Sequence, residues 1–198
     1  MTGLLALSRA IDGLTRFVGF HLRWLILAAV LVSTVNAIIR KVFDSSSNAW
    51  LEMQTLLFGI AFLGAAAYVL QKNAHVRIDV VSSRLSKRTR DWIDLFGHLF
   101  MLAPLTIIMI WLSVPFFWES YVNAEASSNA GGLPVWPYKL FVLVGFILLF
   151  AQMISEVIKR IAVLGGHLHE EDQHATNVAA TLIDEAAHDD ARIHEVKS

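Results

Sequence analysis

The sequence predicts an all-α integral membrane protein: four transmembrane helices, an N-terminal amphipathic interfacial helix before them and a disordered C-terminal tail after them. Three observations predict this class. Only 17% of the 198 residues are charged and 56% are hydrophobic, whereas soluble domains carry about a quarter charged residues. The apolar residues come in long uncharged runs of the length a bilayer demands. Lys and Arg gather on alternate sides of those runs, as they do around membrane helices.

The first element, residues 1–21, places Leu4, Leu7, Ile11, Leu14 and Val18 at helical spacing on one face. Arg9, Arg16 and Arg23 recur at seven-residue intervals on another. Such a segment can lie along the headgroups with its apolar edge buried; the competing reading is a helix packed on a soluble partner. The membrane domain covers residues 22–163. Its spans are 24–39 ("WLILAAVLVSTVNAII"), 53–71, 95–118 and 140–161. The first and last are short for a hydrocarbon core, so flanking Arg and Lys must reach to the interface. A soluble bundle of four buried helices is the alternative, but such helices are rarely so free of charge. No small-residue cleavage site follows the first run, so it is expected to be retained rather than removed as a signal peptide.

The segment "KNAHVRIDVVSSRLSKRTRDWID", residues 72–94, joins spans two and three and holds six basic residues. With Arg9, Arg16, Arg23, Lys159 and Arg160 this makes eleven on one side, against Arg40, Lys41 and Lys139 on the other. The positive-inside rule then places both termini and the 2–3 connection in the cytoplasm. Ile78, Val81, Leu85 and Trp92 share a stripe, so this segment too can lie on the membrane. Arg84, Lys87, Arg88 and Arg90 are the residues expected to hold anionic phospholipid headgroups, and no nucleic acid is expected as a partner. Residues 164–198 form a polar tail rich in Asp, Glu and His; "HLHEEDQH" offers metal-ligand types, but a solvated tail is the simpler reading.

Cysteine is absent, which removes disulfides, thiolate metal sites and a cysteine nucleophile from consideration. Charges inside spans are costly and usually paired or functional. Glu52, two residues after Trp50 at the outer edge of span two, is either bonded to a neighbouring helix or subunit or is a wet interfacial carboxylate. Glu156 is expected to pair with Arg160 one turn on. Asn36, Gln54 and Gln152 are candidates to bridge helices. Gly59, Ala61, Gly64, Ala65, Ala66 and Ala67 make a small-residue packing face on span two, and Pro104 and Pro115 imply kinks in span three. His21 and His98 both fall near cytoplasmic span ends, the minimum for a haem held between helices. The alternative function is therefore a haem-bearing membrane anchor of an oxidoreductase. A small self-assembling channel is a third reading, opposed by the sparse polar content of the spans.

Three stretches carry a family resemblance: Trp50 and Glu52 with "FLGAAAYVLQKNAHVRIDVV", in which His75, Val76, Arg77 and Asp79 recur; "EASSNAGGLPVWPYK", ending at Lys139; and "GFILLFAQMISEVIKRI", with Gln152 and Glu156. Together they resemble the small membrane subunit (DctQ type) of tripartite ATP-independent periplasmic (TRAP) transporters over about residues 20–163. The resemblance implies a non-enzymatic scaffold subunit without cofactor in a bacterial inner membrane. It also implies a separate large membrane subunit, a periplasmic substrate-binding protein, and sodium-driven uptake of an organic anion such as a carboxylate. It implies no substrate, sodium or metal site in this chain. Trp50, Glu52, Arg77, Asp79, Lys139, Gln152 and Glu156 become the candidate interface residues: Trp50 and Glu52 to fix span two on the large subunit, Arg77 and Asp79 to anchor the cytoplasmic turn, and "GGLPVWPYK" to form a periplasmic turn.

Overall fold

The computed structural model describes residues 2–44, 47–72 and 87–165. Its helices are α1 (Thr2–Phe43), α2 (Asn48–Gln71), α3 (Lys87–Gly97), α4 (Ala103–Val122) and α5 (Trp136–Leu164), with a π-helical turn, His98–Leu102, joining α3 to α4. Four stretches are long and apolar enough to cross a membrane: Gly3–Phe43, Asn48–Gln71, Trp92–Val122 and Trp136–Leu164. Among the described residues there is no strand, only an isolated bridge between Ala126 and Pro134.

α1 lies against α2, α2 lies between α1 and α5, and α5 also meets α4 and the N-terminal part of α1. Side-chain register gives the directions. Leu22 of α1 packs over Gly64 and Tyr68 over Gly19, so α1 and α2 are antiparallel. Leu63 meets Gly145, and Asp12 joins Gln71 to Gln152, so α2 and α5 run in parallel.

The packing is carried by small and hydroxyl side chains, because lipid tails supply no hydrophobic drive between helices. On α1 the buried residues Ser8, Thr15, Leu22, Ala29 and Asn36 recur every seven residues. Thr106, Ser113 and Ser120 repeat this interval on α4. A strict seven-residue line is the narrow seam of coiled-coil-like packing. On α2 the buried line runs through Ala61, Gly64, Ala67 and Leu70, part of the expected small-residue face; Gly59 meets nothing. A Cβ at Gly145 would sit 2.8 Å from the Leu63 Cβ, so glycine is what lets α2 and α5 approach there.

The amphipathic N-terminal segment is not a separate element. It continues into span one as a single helix of 42 residues, about 63 Å long and twice the hydrocarbon thickness. Leu4, Leu7 and Leu14 are exposed, and the line facing the bundle is polar, Ser8 and Thr15. In span three, the Ala103 N–H bonds back to the His98 carbonyl, five residues earlier. This wide turn stands immediately before Pro104, where a regular turn would drive the ring into a carbonyl. The Thr106 hydroxyl donates to the Leu102 and Ala103 carbonyls. Pro115 lies inside α4.

Candidate functional site: polar locks at both membrane boundaries

α4 closes in a Schellman arrangement, with Ala124 N–H bonded to Tyr121 O and Glu125 N–H to Ser120 O. Ala124 consequently takes φ +46°, the left-handed region that glycine normally fills. The chain then folds into a small hairpin held by Ser127 N–H to Leu133 O and Val135 N–H to Glu125 O. At its tip Gly132 N–H bonds to Asn129 O, and Gly131 has φ +70°, the position where a type II turn requires positive φ.

Glu52 fastens this hairpin to α2. Its carboxylate accepts the Ser127 hydroxyl, the Asn129 amide (2.9 Å) and the Leu133 backbone N–H (2.7 Å). The Asn48 amide adds a bond to Ala130 O. A Cβ at Gly132 would lie 2.9 Å from the Glu52 carboxylate and closer still to Ser127, so the approach depends on that glycine. Within the chain, Glu52 thus holds the loop between α4 and α5. Lys139, in the first turn of α5, pairs with Glu125 and lies 4.1 Å from the Phe116 ring centroid. The Lys139 hydrogen bond holds the Glu125 carboxyl below the usual carboxylate value. Trp136 meets Tyr121 edge-on at 5.8 Å. The Tyr138 hydroxyl is buried in a cleft of about 560 Å³ among α2, α4 and α5, with no hydrogen-bond partner among the described residues.

Nineteen residues separate Glu52 from Gln71 on α2, about 29 Å along the axis, close to one hydrocarbon thickness. A second lock lies at that end. Lys159 of α5 donates to Asp12 of α1 (3.2 Å) and to Glu156. The Gln152 amide donates to Asp12 (2.9 Å) and Glu156 (3.1 Å), and the Gln71 amide to the Asp12 carbonyl (2.8 Å). The Ser155 hydroxyl donates to Asp12 at 2.8 Å, which leaves Ser8 as donor in the 2.7 Å Ser8–Ser155 bond. Asp12 thus gathers α1, α2 and α5 at one point. The expected Glu156–Arg160 pair does not form. Glu156 turns to Lys159 three residues on, and Arg160 reaches across to Asp94 of α3 at 3.0 Å.

The other expectations divide. Gln152 bridges helices, Asn36 is buried in the α1 seam, and Gln54 has no hydrogen bond among the described residues. Trp50 is exposed in the first turn of α2. Lys87, Arg88 and Arg90 fall in the first turn of α3. Arg77, Asp79, Arg84 and the C-terminal tail lie outside the described residues. His21 bonds to the Phe17 carbonyl of its own helix. Asp12 was not singled out from the sequence. The signal was available in the seven-residue line of Ser8 and Thr15, which puts Asp12 on the same inward side.

Compared with models of known families, residues 29–163 match the one described as tripartite ATP-independent periplasmic transporters, DctQ component. The chain belongs to the DctQ family. It is therefore the small membrane subunit of a TRAP transporter and not an enzyme, which replaces the haem-bearing anchor as a reading of His21 and His98. DctQ membership and four apolar helices together make it a multi-pass inner-membrane protein whose partners are a large membrane subunit and a periplasmic binding protein. Comparison with curated proteins and with solved structures gave no match.

Proposed function

We propose that this chain is the scaffold on which a separate large subunit works during sodium-coupled, binding-protein-dependent uptake of an organic anion such as a carboxylate. The observation that carries this reading is the family match over residues 29–163, joined to the use of the buried polar groups. Asp12, Gln152, Lys159 and Glu52 bond helices and a loop of this chain to one another, the work of a frame. Both termini and the connection between α2 and α3 face the cytoplasm, on the count of eleven basic residues against three. Arg84, Lys87, Arg88 and Arg90 hold anionic phospholipid headgroups there, and Arg77 and Asp79 anchor the turn. Trp50 and the hairpin tied by Glu52 face the periplasm, against the large subunit and within reach of the binding protein.

Reconstitution tests the reading. Vesicles holding this chain with the large subunit, supplied with the binding protein, take up a labelled carboxylate down an inward sodium gradient; vesicles holding either membrane chain alone do not. Transport by this chain alone, or uptake indifferent to sodium, would overturn it.

A further inference from the structure

The exposed surface of this bundle is not uniform. The outward face of α4 presents Leu105, Ile108, Trp111 and Leu112, all apolar and exposed, as a surface against acyl chains should be. Between the outer halves of α1 and α2 the surface differs. A groove of about 390 Å³ runs there, walled by Ala29, Val30, Ser33, Gln54 and Phe58. The register of Leu22 on Gly64 puts Ser33 opposite Gln54. Gln54 is two residues beyond Glu52, so the groove lies inside the span, just below the outer lock.

The polar groups of this groove divide into two kinds. Thr34 and Thr55 donate to carbonyls of their own helices, Val30 and Leu51. Among the described residues, the Ser33 hydroxyl and the Gln54 amide have no hydrogen-bond partner. An acyl chain in the groove would leave both without one, which is costly in hydrocarbon. A transmembrane helix with a small-residue stripe and one hydrogen-bonding side chain satisfies both and fits the close approach that Ala29 and Ser33 permit. Along this outer stretch α1 packs on α2, leaving its other sides open.

We propose that the α1–α2 groove is the docking site for a transmembrane helix of the large membrane subunit, with Ser33 and Gln54 as its hydrogen-bonding contacts. The proposal rests on the scaffold reading above, which supplies the partner.

The test uses the full-length chain co-expressed with the large subunit. Ser33→Leu and Gln54→Leu make the groove more apolar, so a lipid-facing surface would tolerate or favour them. Each is expected to lower the large subunit retained on the tagged chain about three-fold, and the pair about eight-fold. Ile108→Ala on α4 leaves retention unchanged, and unfolding of the isolated variants shows that the bundle is intact. A benzophenone photo-cross-linker in place of Phe58 is expected to attach to the large subunit. Wild-type retention in the double variant, or cross-links only to lipid or to a second copy of this chain, would overturn the groove while sparing the scaffold reading. If the wild-type chain retains no large subunit, both fall.

Discussion

Replacing Lys159 with Met removes the ammonium that holds two carboxylates at the Asp12 lock. The side chains of Lys159, Asp12 and Glu156 are 15%, 17% and 5% exposed, so water does little to screen what is left. Asp12 and Glu156 would then share only the Gln152 amide, with the Ser155 hydroxyl on Asp12 alone, and stand as two like charges within one cluster. Breaking a buried pair by removing one partner costs about 3–5 kcal/mol. The partial exposure of Asp12 places this case near about 3 kcal/mol. A chain of this size loses about 2–4 °C in Tm per kcal/mol, so unfolding followed by tryptophan fluorescence in detergent should shift down by about 6–12 °C. Asp12→Asn combined with Lys159→Met should recover at least half of the loss, because one carboxylate is gone and two like charges no longer face each other. A Lys159→Met variant within about 2 °C of wild type, or a double variant no better than the single one, would refute the reasoning.

Ala124 occupies the left-handed position of the cap that ends α4, so Ala124→Gly should stabilise by about 1 kcal/mol, read as a Tm higher by about 2–4 °C; an unchanged or lower Tm contradicts it. Gly145→Val forces a side chain against the Leu63 Cβ and should cost about 2 kcal/mol, seen as a fall of about 4–8 °C, whereas Gly59→Ala, which meets open space, should change little. The lowered Glu125 carboxyl stabilises the hairpin fully above the ordinary carboxylate value, and that contribution is lost as pH falls through the lowered one. Hydrogen exchange at the Val135 amide, corrected for intrinsic rate, should therefore lose protection between about pH 7 and about pH 3; protection that is flat over that window, or unaffected by Lys139→Met, argues against the pairing.

The four spans were legible because uncharged runs are a direct consequence of the hydrocarbon they cross. Their ends were not, because helices continue past the membrane: 24–39 became part of Thr2–Phe43, and 140–161 became Trp136–Leu164. The reading of residues 1–21 found the arginines and the outward leucines but not the side that packs on the other helices. The face that meets the bundle is the polar line through Ser8, Asp12 and Thr15, a seven-residue signal present in the sequence but overshadowed by the more conspicuous leucines. Glu156 and Arg160 satisfied the spacing rule for a pair, yet each found a partner elsewhere, because Asp94 comes from a distant part of the chain. Glu52 was identified as important from its place at a span edge. Its true partners, Ser127, Asn129 and the Leu133 N–H, depend on a hairpin whose closure could not be read from the turn residues alone.

The most direct test of the scaffold account is a pull-down of the tagged chain from its native membrane in mild detergent, with partners identified by mass spectrometry. The account predicts recovery of a large polytopic membrane protein, the transporter's large subunit, in constant ratio to this chain. Recovery of flavin or iron–sulfur subunits instead, or of this chain by itself, would contradict it.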